Sequence, residues 1–250
     1  MNSKKINLFG TDIDCLTMEE TIQIVDKIIQ DRTPRQHVVV NALKFAMMNS
    51  DSGLKNIVNS CDIISADGLP VVWASRILSQ PLPERVAGVD LFQNLVKSCS
   101  QKGYRPFFFG ARQEIVVKTI ENFIEKYPNL EVAGYRNGYF TKEQEPQISD
   151  IIRNSRADML FVGISSPIKE IFLNKWMNYM QIPFCMGVGG SFDIIAGKTK
   201  RAPVWMQEAG MEWFYRVLQE PRRMWKRYAT TNTIFVWMVL KEYLCSNGKG

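Results

Sequence analysis

The stretch MLFVGISSPIKEIFLNKWMNYMQIPFCMGVGGSFD, residues 159–193, contains two short apolar runs, at 159–164 and 184–188. In both runs successive residues are apolar, which is typical of strands covered on both faces. Similar runs occur at 6–9, 37–41, 62–66, 106–110 and 130–135. They alternate with longer helical patterns, and this alternation predicts an α/β, Rossmann-like fold with a mostly parallel sheet flanked by helices.

The helical patterns have recognisable starts. Thr17 and Glu20 have the spacing of a capping box, and Ile22, Val25 and Ile28 follow at helical intervals. A second capping box lies at 141–144, and further helices are expected at 90–100 and 113–127.

The excess positive charge is confined to the end of the chain. The 250 residues include 31 Lys and Arg against 25 Asp and Glu, a formal net charge of +6. Ten of the basic residues and four of the acidic ones follow position 197, so the part before it is neutral. A chain of this length suits one large domain, or one domain with an appendage.

Several classes of site and location are disfavoured by composition. The single histidine, His37, argues against most zinc sites and against a Ser-His-Asp triad. Five cysteines are scattered without a CxxC pair, which indicates reduced core thiols and a cytoplasmic protein. The longest apolar run, 234–240, is far shorter than the roughly 20 residues that span a bilayer, so we expect no membrane-spanning segment.

Polar residues and glycines follow the predicted strands, and in doubly wound sheets the site lies at the strands' carboxyl ends. Asp67, followed by Gly68, is the best candidate for a general base, because a carboxylate there can take a proton from a hydroxyl. Alternatively, Asp67 caps a helix that starts at Leu69. The two interpretations are compatible.

For two further features, an ordinary structural role is at least as well supported by the sequence as a functional one. The turn Gly187-Val-Gly-Gly-Ser-Phe-Asp193 lacks the GxGxxG spacing; its amides could hold a phosphate or a base, or it is a plain tight turn. Arg85 lies in a polar loop, where a lone arginine is usually a surface residue.

After position 197 the composition changes. Four of the six tryptophans fall there among the basic residues, and Pro221 divides the segment into expected helices at 203–219 and 222–243. We therefore expect a catalytic body at 1–196 and a helical appendage at 197–250. The appendage could lie on an anionic membrane, neutralise a diphosphate, bind nucleic acid or expose a solvated basic face. Nucleic acid is disfavoured because the body is neutral.

In combination and in order, the motifs resemble those of the WecG/TagA/CpsF glycosyltransferases over nearly the whole chain. The matching motifs are Ala66-Asp67-Gly68, Arg85-Val-Ala-Gly-Val-Asp90, Gly134 to Tyr139, Gly187-Val-Gly-Gly-Ser-Phe-Asp193, Gly197, Lys200-Arg-Ala-Pro203, Glu212-Trp213, Arg216 and Glu220-Pro-Arg-Arg223. The resemblance implies an inverting, metal-independent transferase. It would move a hexosamine, most often N-acetylmannosamine, from a UDP-sugar to undecaprenyl-diphosphate-linked N-acetylglucosamine. Its product would enter teichoic acid or another surface polysaccharide.

The resemblance also implies a location and roles for individual residues. The protein would be peripheral on the inner face of the cytoplasmic membrane, with the appendage docking there and completing the active site. Asp67 matches the general base and Arg85 a nearby active-site arginine. The remaining candidate substrate-binding positions are Asn41, Gly68, Tyr139, Lys169, Gly189, Gly190, Asp193, Arg216, Arg223 and Arg227.

Two positions depart from the family's pattern. Many relatives read Thr-x-Asn where this chain has Val39-Val40-Asn41, and Pro-Lys-Gln-Glu where it has Pro167-Ile-Lys-Glu170. In the family both positions lie near the donor sugar and the acceptor. The donor therefore stays open between a hexosamine, glucose and a uronic acid, and a lysine would suit a carboxylated ligand.

A metal-dependent mechanism and a role without catalysis also have some support in the sequence. Asp12-Ile-Asp14 fits the Asp-x-Asp pattern of metal-dependent transferases, but a structural role near a turn is favoured, and no cofactor is expected. A non-catalytic nucleotide-binding or nucleic-acid-binding module would keep the basic tail and make Asp67 a helix cap. Homo-oligomers would form if the tail lifted off and left apolar faces bare.

Overall fold

The computed structural model describes residues 3–247, except for the side chains of Arg223, Ser246 and Asn247. This part of the chain contains eight strands: β1 Lys5–Leu8, β2 Thr11–Asp14, β3 Arg35–Val40, β4 Ile63–Ala66, β5 Pro106–Gly110, β6 Gly134–Arg136, β7 Met159–Gly163 and β8 Phe184–Gly187. Strands β3 to β8 form a parallel sheet in the order β4-β3-β8-β7-β5-β6, while β1 and β2 form a separate antiparallel hairpin. The predicted α/β fold with a mostly parallel sheet is confirmed.

Helices connect the strands and cover both faces of the sheet. Those found in residues 3–247 are α1 Met18–Asp31, α2 Ala42–Ser50, α3 Ser52–Asn59, α4 Leu69–Ile77, α5 Gly88–Lys102, α6 Gln113–Lys126, α7 Glu145–Ser155, α8 Ile168–Met180, α9 Ser191–Ile195, α10 Val204–Glu208, α11 Glu212–Gln219 and α12 Pro221–Asn247. A 3₁₀ turn, Lys142–Gln144, precedes α7. The capping box at Thr17 is confirmed, since Thr17 Oγ1 accepts from the Glu20 backbone and Glu20 Oε2 accepts from the Thr17 backbone.

Consecutive apolar residues in the strands serve the two faces alternately. Phe108 packs on one face with Phe92 and Phe161, whose ring centroids are 4.8 Å apart. Its neighbours Phe107 and Phe109 point to the opposite face, where Phe109 packs against Phe172 of α8 at 5.2 Å. Burial on both faces explains why these runs show no alternation of polar and apolar residues.

The structure corrects two of the strand predictions. Phe9 is not a strand residue: Phe9 and Gly10, with φ of 55° and 76°, form the tight turn between β1 and β2. The strand β2 escaped prediction because its sequence, Thr-Asp-Ile-Asp, lacks an apolar run. The strand expected at 130–135 begins only at Gly134, because this edge strand pairs with β5 alone and the pairing starts opposite Phe107.

The last of the C-terminal helices, α12, packs against the body. Phe235 of α12 is only 4% exposed, and its ring lies 5.8 Å from that of Phe9 and 6.0 Å from that of Phe45. Pro221 is the first residue of α12, where its missing N–H is tolerated. Within residues 3–247 no helix is both long enough and apolar enough to cross a membrane.

Candidate active site

A cleft of about 790 Å³ opens at the carboxyl edge of the sheet, with the C-terminal helices along its other side. This volume is in the range of small-ligand sites. The predicted site residues that line it are Asn41, Asp67, Gly68, Arg85, Tyr139, Lys169, Gly189, Gly190, Asp193, Arg216 and Arg227. The side chain of Arg223, also predicted, lies outside the described part of the structure.

Asp67 lies directly after β4, at the carboxyl edge of the sheet. Its backbone N–H donates to the Val40 carbonyl at 2.8 Å, which fixes the residue beside β3. The residue that caps α4 is Gly68, which has a φ of 102° and no side chain to make the capping hydrogen bond. The interpretation of Asp67 as a helix cap is therefore wrong, and its carboxylate is left to face the cleft.

The surroundings of Asp67 favour a stronger base than an ordinary aspartate. Burial raises the pKa of its carboxyl to about 6, and the negative charge of Glu212 is the second cause. Arg85, Arg216 and a hydrogen bond from the Gly88 backbone act in the opposite direction. A carboxyl with such a pKa is mostly ionised at neutral pH and binds a proton more readily than a solvated aspartate.

Arg85 belongs to a series of ion pairs that joins the body to the segment after position 196, which is called the tail below. Its Nη1 lies 2.8 Å from Glu212 Oε2, and Glu212 Oε1 lies 3.7 Å from Arg201 Nε. Arg201 donates through both terminal nitrogens to Asp90, the Nη2–Oδ2 distance being 2.7 Å. The interpretation of Arg85 as a free surface arginine is wrong, since 17% of its side chain is exposed and it is paired.

Glu212, Arg201 and Asp90 were not among the predicted site residues, although each lies in a motif that carries the family resemblance. Their role depends on a contact between residues more than 100 positions apart, which no local pattern encodes. Arg112 was also missed: it lines the cleft and hydrogen-bonds Tyr139, which raises the pKa of this arginine.

The glycine-rich turn presents bare backbone to the cleft. The N–H groups of Val188 and Gly189 donate to the Val162 carbonyl at 2.9 and 3.3 Å. A methyl group added at Gly189 or Gly190 would meet no atom within 4 Å, so a ligand can approach the chain closely there. Asp193 follows and forms an ion pair with Lys198 at 3.0 Å.

Lys169 forms part of a buried charged cluster with Lys44 and Glu170. Its ammonium lies 2.8 Å from Glu170 Oε1, which also contacts the Lys44 ammonium. The pKa of Lys169 falls to about 8, because of burial and then of the charge on Lys44. Burial opposes ionisation of Glu170, but the two lysines outweigh it and hold its pKa near 2. The cluster has a net charge of +1, and both lysines line the cleft.

Asn41 and the tail arginines complete the lining. Asn41 caps α2, its Oδ1 accepting from the Lys44 backbone N–H at 2.9 Å, so it also positions the start of the helix that carries Lys44. Arg216 from α11 and Arg227 from α12 reach the same cleft from the tail. The site therefore combines one carboxylate of raised pKa, open backbone and several cations.

Asp12 and Asp14 lie away from this cleft. Asp12 accepts from Asn7 Nδ2 at 2.6 Å across the hairpin, and Asp14 accepts from the Ile64 backbone at 2.8 Å. They hold the hairpin together and attach it to β4, which agrees with the structural interpretation. The described residues contain no cluster of three or more metal-ligating side chains of His, Cys, Asp or Glu.

The cysteines are free thiols. Cys61, Cys99 and Cys185 are buried, as predicted for core thiols, and Cys15 is partly buried. Cys245 corrects that prediction, because it lies on the exposed side of α12 near the end of the chain.

Comparisons with known proteins give the following similarities. A family model described as the glycosyl transferase WecG/TagA/CpsF family matches residues 6–249. A protein of Bacillus spizizenii is 39% identical over 186 residues, covering 74% of this chain and 71% of its own. One of Staphylococcus aureus strain MW2 is 29% identical over 241 residues, covering 95% and 92%. Both relatives bear the name N-acetylglucosaminyldiphosphoundecaprenol N-acetyl-beta-D-mannosaminyltransferase.

Proposed function

The chain belongs to the WecG/TagA/CpsF glycosyltransferase family, and from this premise we propose that it is an inverting, metal-independent enzyme. It moves a hexosamine, with N-acetylmannosamine as the leading candidate, from a UDP-sugar to undecaprenyl-diphosphate-linked N-acetylglucosamine. The observation that carries the proposal is Asp67, whose carboxyl has a pKa of about 6 and lies in a cleft that the cationic tail completes.

The proposed reaction needs a base on the acceptor. Asp67 takes the proton of the acceptor hydroxyl while the hydroxyl oxygen attacks C1 of the donor sugar. The bond between C1 and the diphosphate oxygen breaks, and UDP leaves with the bonding electrons. Because the attack comes from the side opposite the leaving group, the configuration at C1 inverts.

The departing diphosphate needs positive charge. Arg216 and Arg227 reach the cleft from the tail, and Lys198, which pairs with Asp193, lines the same cleft as the glycine-rich turn. Each charge-assisted hydrogen bond to a phosphate oxygen contributes about 1.5–3 kcal/mol, so a few such bonds serve the purpose of a divalent cation. We therefore assign these side chains, and Arg85, to the donor diphosphate and to the charge that develops on it.

A second class of donor is favoured by the cluster of Lys44, Lys169 and Glu170. Its net charge of +1 matches the single negative charge of a uronic-acid carboxylate, whereas a neutral hexosamine offers it only hydroxyl groups. A screen of UDP-N-acetylmannosamine, UDP-glucose and the corresponding UDP-uronic acids separates the two. Lys169→Gln is expected to reduce turnover of a uronic donor at least tenfold and to affect a neutral donor less.

We assign the enzyme to the inner face of the cytoplasmic membrane. Large apolar side chains of the tail are exposed, Trp205, Trp225 and Trp237 among them, and the exposed basic residues Arg222, Lys226 and Lys241 accompany them. Each basic residue near anionic headgroups adds about 1 kcal/mol of attraction, and tryptophan favours the interface.

The decisive experiment is an assay of sugar transfer to a short-chain diphosphate-linked N-acetylglucosamine, with and without EDTA. Transfer that survives EDTA and is abolished by Asp67→Asn supports the proposal. Loss of turnover on chelation rejects the metal-free mechanism, and full activity of Asp67→Asn rejects the assigned base. Tight RNA binding with a steep salt dependence and no affinity for UDP would favour a binding module instead.

A further inference from the structure

Glu212 places a negative charge in the cleft, where the proposed reaction needs positive charge for the donor diphosphate. It begins α11 and lines the same cleft as Asp67 and Arg216. A carboxylate at this position repels both the donor diphosphate and the ionised form of Asp67. Its position therefore calls for a role other than binding substrate.

Each carboxylate oxygen of Glu212 contacts an arginine, and one of the two, Arg85, also acts on the charge of Asp67. Its Oε2 lies 2.8 Å from Arg85 Nη1, and its Oε1 lies 3.7 Å from Arg201 Nε. Glu212 thus holds Arg85 in place and offsets part of its positive charge. Asp90, on the body, holds Arg201 from the other side through two parallel hydrogen bonds.

The charged groups around Asp67 come from three parts of the chain. Arg85 belongs to the loop before α5, Glu212 and Arg216 to α11, and the Gly88 backbone to the first turn of α5. The two arginines and the Gly88 hydrogen bond favour the ionised carboxylate, while Glu212 and burial favour the protonated one. Among these three charged side chains, Glu212 is the one that pushes toward proton uptake.

We propose that Glu212 is a positioning residue for the transfer reaction: by pairing with Arg85 and facing Asp67, it makes Asp67 an effective base without touching the substrate. The tail then supplies two opposite kinds of charge, arginines for the diphosphate and one carboxylate for the base. This inference rests on the proposed function in that it takes Asp67 as the base.

The matched variants are Glu212→Gln, Glu212→Asp and Asp90→Asn. Glu212→Gln removes the negative charge and leaves Arg85 unpaired, so Asp67 gives up its proton more easily and becomes a weaker base. We expect the acid limb of the kcat profile to move to lower pH and its plateau to fall about three- to tenfold, with a smaller change in KM. Glu212→Asp keeps the charge and is expected to restore part of both effects.

Asp90→Asn tests whether Glu212 positions the base or only holds the tail against the body. It removes the charge of one of the two acidic partners of Arg201 and leaves the side chains of Glu212, Arg85 and Asp67 unchanged. If Glu212 served only to hold the tail down, Asp90→Asn and Glu212→Gln would lower activity alike, with an unshifted pH profile in both. That result would overturn the proposal.

A measurement that does not depend on turnover completes the test. The side-chain carboxyl of Asp67 can be titrated by ¹³C NMR in the full-length protein with labelled aspartate, its signal assigned by its loss in Asp67→Asn. A titration that moves to lower pH in Glu212→Gln supports the inference, and an unmoved titration contradicts it. A wild-type protein that transfers no sugar would reject the proposed function, whereas an unmoved titration in an active enzyme would reject the role of Glu212 alone.

Discussion

The side chain of Lys169 lies across the backbone of Gly187, so close that a methyl group at position 187 would fall 2.6 Å from Lys169 Cε. Such a separation is far inside van der Waals contact, and Gly187 is therefore the residue of β8 that admits the lysine to the floor of the cleft. The glycine at this strand end makes room for a side chain as well as for a ligand.

Gly187→Ala is expected to displace Lys169 from Glu170 and to lower the free energy of unfolding by about 1–3 kcal/mol through overpacking. Lys169→Ala removes the side chain that the new methyl group would meet. The double variant should therefore lose less stability than the sum of the two single variants, in a denaturation cycle with urea. Additive losses would show that the two side chains do not compete for one space.

Asp67→Asn is expected to stabilise the protein at neutral pH. The folded state raises the pKa of this acid to about 6, so it binds the proton more tightly than the unfolded chain does. Stability then falls as pH rises from about 4 to about 6, and the penalty is complete above that range. At pH 8 the variant should gain about 1–3 kcal/mol in urea denaturation, and little near pH 4.

Asp90→Asn should change stability in the opposite direction, because it removes the negative charge that pairs with Arg201 and one of the two oxygens that accept from it. A gain of stability in both variants would mean that the effect of Asp67→Asn has nothing to do with an unfavourable buried charge.

Two aromatic residues, two positions apart on α12, should separate anchoring of the tail from membrane contact. Phe235 is 4% exposed and Trp237 is 64% exposed, since residues two apart on a helix point in nearly opposite directions. Phe235→Ala is expected to cost about 3–5 kcal/mol of stability. Trp237→Ala should change stability by less than about 0.5 kcal/mol.

Trp237→Ala is also expected to reduce the fraction of the protein that sediments with vesicles of anionic phospholipid. Equal vesicle binding by Trp237→Ala and the wild-type protein would remove this tryptophan from the proposed membrane contact.

Deletion of residues 197–250 is expected to leave a folded body with little transferase activity. The strands of the sheet end at Gly187, and α9 closes the body before the deletion point. The truncated chain would lose Arg216 and Arg227 from the cleft and uncover the rings of Phe9 and Phe45. Far-UV circular dichroism should stay native-like while binding of a hydrophobic dye rises; an unfolded product would make the tail part of the core.

The sheet could be predicted from sequence because its strands are buried on both faces. Runs such as Phe107 to Phe109 are apolar throughout, and a short run of this kind between helices is typical of a strand covered by two layers. The edge strand β6 was misplaced because only one neighbour supports it. The strand β2 was missed because Asp14 is buried for a specific hydrogen bond to the Ile64 backbone, which composition does not reveal.

The candidate site could be predicted as a set of strand-end residues and tail arginines, but not as a network. Asp67 could be predicted from its place after β4. The effect of the Glu212 charge on its pKa could not, because it depends on how α11 packs against the body. The same holds for Glu170, which sequence offers as an ordinary helix residue and which the fold buries between Lys44 and Lys169. Long-range charge pairing is decided by tertiary packing.

Phe9 occupies a turn position where asparagine or glycine would fit the backbone better, since its φ is 55°. Its ring nevertheless contacts both Phe45 and Phe235, so the turn between β1 and β2 packs against α12. Local backbone preference and long-range aromatic contact thus oppose each other at one position. An asparagine at position 9 would relieve the backbone strain of the turn. It would also remove the aromatic contacts that hold the first hairpin against α12.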